Sequence, residues 1–197
     1  DLDLWKNKTD TASLVPGRKK PVLLFVGNDF LRKGGEFLLE MYKRELSGNV
    51  LLQIVSNDKF FEDRLMPSGV TVHKGYSHKN LDELIELYKN ADLFLYPTTA
   101  DCLGLVLIEA CSVGLPIIAT DVGGISDVVK DGYNGYLMPY GSSQEAWVNK
   151  IKYILCDYGK LMELSGNARA YAEANFTKSS FKEKIGKALH VAMNSEK

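Results

Sequence analysis

Residues 92 to 121 read DLFLYPTTADCLGLVLIEACSVGLPIIATD. The ends of this stretch, DLFLYP at 92 to 97 and PIIATD at 116 to 121, are short continuous apolar runs. Between them a helical segment, about Gly104 to Val113, is apolar nearly all round. Continuous rather than alternating hydrophobicity marks strands buried on both faces, which is the signature of a parallel sheet. A helix with so little polar surface is expected to lie buried between that sheet and its neighbours.

The same grammar extends outward. Apolar runs recur as VLLFVG at 22 to 27, LLQIVS at 51 to 56 and VTVHKG at 70 to 75. Helical patterns fill the gaps, as in GGEFLLEMYKREL at 34 to 46 and NLDELIELYKNA at 80 to 91. In the second, Leu81, Leu84, Ile85 and Tyr88 share one face at 3.6-residue spacing. Alternation of this kind predicts an α/β fold with a doubly wound, Rossmann-like parallel sheet, whose ligands bind at the carboxyl ends of the strands. A further short apolar piece, NGYLMP at 134 to 139, follows, and from Ser142 onward only helices are expected. Residues 1 to 19, polar and punctuated by Pro16 and Gly17, read as a lead-in or linker, residues 20 to 176 as the domain, and 177 to 197 as a Lys-rich C-terminal helix.

Composition narrows the function. The chain has 197 residues, 24 Lys and Arg against 25 Asp and Glu, and 45% apolar residues, enough for a sizeable core and far from disordered composition. Near-neutral charge without a sustained basic cluster argues against a nucleic-acid or anionic-membrane footprint, while a small acidic ligand needs only a few local cations. Cys102, Cys111 and Cys156 are odd in number and lack CxxC spacing, so reduced thiols and a cytoplasmic setting are expected, with Cys102 and Cys111 as packing residues. No apolar stretch approaches the roughly 20 residues of a membrane-spanning helix. Residue 1 is Asp rather than Met, so a longer parent polypeptide is expected.

Three loops can carry chemistry. Asp101 stands just before the apolar helix, where it is either an N-cap or a ligand contact. Glu109 sits within the helix, either on a thin exposed stripe or facing a polar cleft that supplies the donors a desolvated carboxylate requires. Seven residues separate the two, roughly 12 Å along a helix axis. Between them lie the first-turn amides of Leu103, Gly104 and Leu105, a ready anion site. That order, hydroxyl acceptor, phosphate cradle, hydroxyl acceptor, suits a nucleoside diphosphate sugar. A second loop, GNDFLRKGGEF at 27 to 37, places Lys33 before Gly34 and Gly35 at a strand-to-helix junction, where Arg32 and Lys33 are either a solvated pair or a phosphate contact. Neither GxGxxG nor GxxxxGK[ST] occurs there. Strand-end positions Ser56, Asn57, Gly75, Tyr76, Gly123 and Gly124 complete the list. His73, His78 and His190 lack metal-ligand spacing.

The pattern from Pro97 to Gly124, an acidic residue, seven residues, Glu, then Ala-x-small-x-Gly-x-Pro and a later Gly-Gly, is similar to the C-terminal domain of group 1 (family 4) retaining glycosyltransferases of GT-B fold, and the resemblance runs from about Pro21 to Phe176. It implies that Glu109 holds ribose hydroxyls, Asp101 the transferred sugar, and the amides of 103 to 105 the diphosphate. The family's Gly-Arg-x-x-x-x-Lys-Gly is matched by Gly27, Lys33 and Gly34, with Asn28 in the Arg position, so Lys33 first and Arg32 second are expected to supply the charge. Tyr76 is nominated for the base. The chain also departs from the family in having Asp rather than Glu at 101.

The resemblance further implies a UDP-hexose donor, UDP-glucose before GDP-mannose, with no metal cofactor and a role in polysaccharide or exopolysaccharide assembly. Acceptor site and usual catalytic His belong to an N-terminal domain outside this chain, so donor binding without appreciable transfer is expected. The final helix, with Phe181, Ile185, Ala188, Leu189 and Ala192 on one side, is expected to pack toward that domain, and any peripheral contact with the inner membrane face is expected to run through it. The alternative is a non-catalytic nucleotide-binding or regulatory module. A receiver-like domain would need an acidic cluster after the first strand, where only Asp29 follows Gly27.

Overall fold

The computed structural model describes residue 5, residues 20 to 76 and residues 80 to 194, with side chains through Lys187. His78 and the His190 side chain lie outside that range, as does the 1 to 19 lead-in apart from Trp5. Six strands form one parallel sheet: β1 (Val22–Val26), β2 (Leu51–Val55), β3 (Val70–His73), β4 (Leu93–Tyr96), β5 (Ile117–Thr120) and β6 (Gly135–Met138), in the order β3-β2-β1-β4-β5-β6. The helices are α1 (Gly35–Met41), continued by a π-helical turn at Tyr42–Leu46, then α2 (Leu81–Asn90), α3 (Leu105–Ser112), α4 (Ile125–Val128), α5 (Gln144–Leu155), α6 (Tyr158–Asn175) and α7 (Lys178–Asn194).

The apolar runs are continuous because the sheet is covered on both sides. In β1, Leu23 and Phe25 point into a core built with α1, α5 and α6, while Leu24 and Val26 point into a second core with α2, α3 and the far end of α6. Leu93 and Leu95 of β4 join the first core, Phe94 and Tyr96 the second. The edge strand β3 departs from the expected pattern. It is only half-buried, since one side of an edge strand has no neighbour, and its His73 ring nitrogen pairs with Gln53 at 2.5 Å across the ladder.

This strand order reverses between β1 and β4, so the loops leaving those two strands diverge and open a crevice at the sheet's carboxyl edge. Everything expected to bind a ligand lies on segments that converge there.

Candidate functional site

A cleft of about 500 Å³ occupies the switch point, between the end of β1, the loops after β2 and β3, α2, the end of β4 and the start of α3. Its walls include Gly27, Asn28, Lys33, Asn57, Tyr76, Asp101, Leu105 and Glu109, eight positions singled out in the sequence. Val26, Val55, Leu81, Leu84, Tyr96 and Val106 supply the remaining surface.

Lys33 reaches the cleft because Gly27 lets it. A Cβ at Gly27 would lie 3.2 Å from the Lys33 Cγ, so the lysine stem folds across the glycine and carries its amine inward. The amine donates to the Tyr96 hydroxyl at 2.5 Å and to Asp101 Oδ2, and the Tyr96 hydroxyl in turn donates to the same Asp101 oxygen. Burial, the largest single influence on Asp101, pushes its carboxyl up. The bonds from Lys33 and Tyr96 together outweigh it and leave the pKa below the ordinary aspartate value.

Asp101 is therefore not the N-cap of α3. That place falls to Gly104, in the left-handed region at φ 70, and no side chain caps the helix. A carboxylate engaged by a cation and a hydroxyl does not cap the first-turn amides, and Leu105 and Val106 of that turn line the cleft. Leu105 lines the cleft and is 69% exposed, so α3 is less buried than its composition predicts. Leu103 and Gly104 do not line the cleft. The loop after β5 backs this turn at backbone distance: Gly124 N donates to the Cys102 carbonyl at 2.8 Å. Gly123, at φ 57, sits where any Cβ would strike the Asp101 carbonyl, which accounts for the Gly-Gly pair.

Glu109 is held differently. Its Oε2 accepts a 2.7 Å bond from the hydroxyl of Tyr88, a fully buried residue of α2 stacked on Phe94. Desolvation pushes the Glu109 carboxyl above the ordinary value, and the Tyr88 bond only partly offsets this. Glu109 thus faces the cleft rather than an exposed stripe.

The two adjacent cations part company. Arg32 points outward, its Nε on Asp29 Oδ2 at 2.5 Å and its Nη1 on the Ala100 carbonyl at 2.6 Å, and it does not line the cleft. Its own carbonyl accepts from Thr99 N at 2.9 Å and from the Thr98 hydroxyl at 3.2 Å, tying the loop after β1 to the one that bears Asp101. Asn28 does not reach toward Lys33. Its Oδ1 accepts from Asn57 N at 3.0 Å, while Asn57 Oδ1 accepts from Gly75 N at 2.6 Å, so these side chains join the ends of β1, β2 and β3. Ser56 is buried and makes no wall, since its hydroxyl accepts from Asp58 N inside the turn.

Tyr96 and Tyr88 are the site residues that the sequence reading missed. Tyr96 ends β4, and the rule that strand ends face the ligand applied to it as much as to Ser56. Tyr88 belongs to the apolar face of α2, and a buried phenol requires a hydrogen-bond partner. Of the cysteines, only Cys111 is packed, its thiol pushed up to about 12 by burial, whereas Cys102 and Cys156 are exposed at turns.

Sheet order and cleft define a Rossmann-like α/β domain with a ligand site at its switch point. The family model for glycosyl transferases group 1 matches residues 6 to 171, and the chain belongs to that family. It is 27% identical over 179 residues to an uncharacterized glycosyltransferase of Methanocaldococcus jannaschii, covering 86% of this chain and 45% of that protein. It is 35% identical over 159 residues to the lipopolysaccharide glucosyltransferase WaaG of Escherichia coli, covering 77% and 42%. Among solved structures it superposes on HepE of Anabaena, determined with UDP-glucose, at TM-score 0.76 and 24% identity, covering 97% of this chain and 55% of that one. The chain thus spans about half the length of these relatives.

Proposed function

We propose that this chain is the donor-binding half of a retaining glycosyltransferase that transfers a hexose from a UDP-sugar, UDP-glucose before GDP-mannose. The observation that carries the reading is the convergence of Lys33, Asp101, Glu109 and the α3 first turn on one cleft. The base fits the apolar end between Asn57, Tyr76, Leu81 and Leu84, with ribose hydroxyls on Glu109. Lys33 and the first turn of α3, with Leu105 at the cleft wall, receive the diphosphate, and Asp101 the sugar. UDP-glucose in the HepE structure and the glucosyltransferase name of WaaG support the choice of donor.

In this reading the departing nucleoside diphosphate builds negative charge, which Lys33 and the helix amides stabilise in place, so no metal cofactor is invoked. Asp101 and Glu109 act by holding the donor in its reacting orientation. A second domain supplies the acceptor site, and the chain alone binds donor without appreciable transfer. A cytoplasmic setting in polysaccharide assembly belongs to the same proposal, with any membrane contact made through that second domain. No helix among the described residues is long and apolar enough to cross a membrane.

Calorimetric titration with UDP, GDP and ADP is the test. UDP is expected to bind tightest. Binding of none of the three, or affinity unchanged when Asp101 and Glu109 are both replaced by Ala, overturns the reading.

A further inference from the structure

The chain that runs from Lys33 through Tyr96 to Asp101 has a direction. A lysine amine only donates and an ionised carboxylate only accepts, so the Tyr96 hydroxyl between them must accept from Lys33 and donate to Asp101. Both ends of the chain are groups that the donor would meet. We infer that Tyr96 is a positioning residue of the donor site: its hydroxyl fixes the Lys33 amine and the Asp101 carboxylate against one another, so that one faces the diphosphate and the other the sugar. The inference rests on the donor-binding reading given above.

Three features single out the hydroxyl from the ring. Tyr96 is 1% exposed and its ring packs beside Phe94, 6.1 Å between centroids, so the ring alone satisfies the core. The hydroxyl is the part that bonds to Lys33 and Asp101, both of which line the cleft. Burial, then the Asp101 carboxylate beside it, push this phenol far above the ordinary tyrosine value, so it keeps its proton and remains a donor. Asp101 also carries a shorter arm than a Glu would. A carboxylate on a short arm that takes both side-chain donors through Oδ2, with a capacity of about four hydrogen bonds, retains acceptor positions for a ligand hydroxyl. Of the three N–H bonds on Lys33, two are spent on Tyr96 and Asp101, and the third is left for a phosphate oxygen. The tyrosine thus sets which way each remaining valence points.

The test is a double-mutant cycle in donor binding, run on the 197-residue chain with UDP-glucose and UDP as probes. Replacing Tyr96→Phe keeps the ring and removes the hydroxyl. UDP-glucose affinity is expected to fall about fivefold or more, and UDP affinity by less, because UDP lacks the sugar that Asp101 contacts. In an Asp101→Asn background the same change is expected to cost under about twofold, since the partner of the hydroxyl has already been altered. Y96F should melt somewhat lower than wild type at pH 7.5, because Asp101 loses one of its two side-chain donors, and it should remain folded at the temperature of the titration. A merely structural tyrosine would lower both affinities together and add fully to D101N, and either that result or unchanged UDP-glucose binding overturns the proposal. If Y96F does not fold, the ring resonances of Tyr96 in D101N against wild type decide it: a shift supports the coupling, and none overturns it. Wild-type chain that binds neither nucleotide marks a failure of the donor reading itself, and the positioning role falls with it.

Discussion

Asp101 and Glu109 share one cleft, and each receives a tyrosine hydroxyl from a different element, yet their surroundings push them in opposite directions. Asp101 has a cation against it, and its pKa is lowered. Glu109 has lost its water and gained only the neutral Tyr88, and its pKa is raised. An ionised carboxylate can take about four hydrogen bonds, so the Glu109 end is under-supplied and suits a ligand that brings hydroxyl donors. The Asp101 end already holds a cation and a hydroxyl, and that cation suits a ligand that brings negative charge. Diphosphate beside Lys33 and a diol beside Glu109 follow from that asymmetry without reference to any relative.

Removing the cation breaks the comparison most severely. Lys33→Ala deletes the amine at the cleft and leaves Tyr96 as the side-chain donor to Asp101. A hydrogen bond to a charged group contributes about 1.5–3 kcal/mol, which corresponds to a roughly 10- to 100-fold rise in Kd. UDP and UDP-glucose should weaken together by this amount in calorimetry, because both carry the diphosphate. A loss confined to UDP-glucose would move Lys33 from the phosphate to the sugar.

Stability against pH sharpens the contrast, because the two carboxylates should give opposite signs. Glu109 has a folded pKa above its ordinary 4.5, so the folded state holds its proton more tightly than the unfolded chain. Its contribution to stability is present below 4.5 and lost as pH rises through the raised value. Glu109→Gln should therefore melt higher than wild type at pH 7.5, and the gain should vanish near pH 4, while donor affinity falls about tenfold. Asp101 has a folded pKa below its ordinary 3.8, so its contribution is present above 3.8 and lost as pH falls through the lowered value. Asp101→Asn should melt lower at pH 7.5. Thermal melts of both variants at the two pH values check this, and melting shifts of the same sign would remove the asymmetry.

Much of the frame behind this contrast was legible in the sequence, because burial on both faces writes itself as unbroken apolar runs. Every strand begins and ends within two residues of its run, and α3 occupies the expected stretch. What escaped depends on neighbours distant in the chain. Asp101 could be read as a cap because its real partners, Lys33 and Tyr96, come from other loops and strands. Sequence placed Arg32 and Lys33 side by side, but which one turns inward depends on the turn at residues 29 to 34, with the Lys33 stem lying close over Gly27. Cys102 is exposed on a loop whose backbone lies against Gly123 and Gly124, a contact that local hydropathy does not encode.

Arg32 offers the smallest effect and the narrowest test. Its guanidinium is spent on exposed Asp29, one turn away, and on the Ala100 carbonyl, so it braces the loop bearing Asp101 without facing the cleft. Exposed ion pairs of this kind contribute little. Arg32→Ala should accordingly change the Kd for UDP and UDP-glucose by less than about threefold, against the large loss expected for Lys33→Ala. Because the two residues are adjacent and alike in charge, a general electrostatic attraction for the diphosphate would weaken similarly in both variants. A steep loss in R32A would show that Arg32 swings inward when the donor binds, and the asymmetry between the two ends of the cleft would then have to be drawn with two cations rather than one.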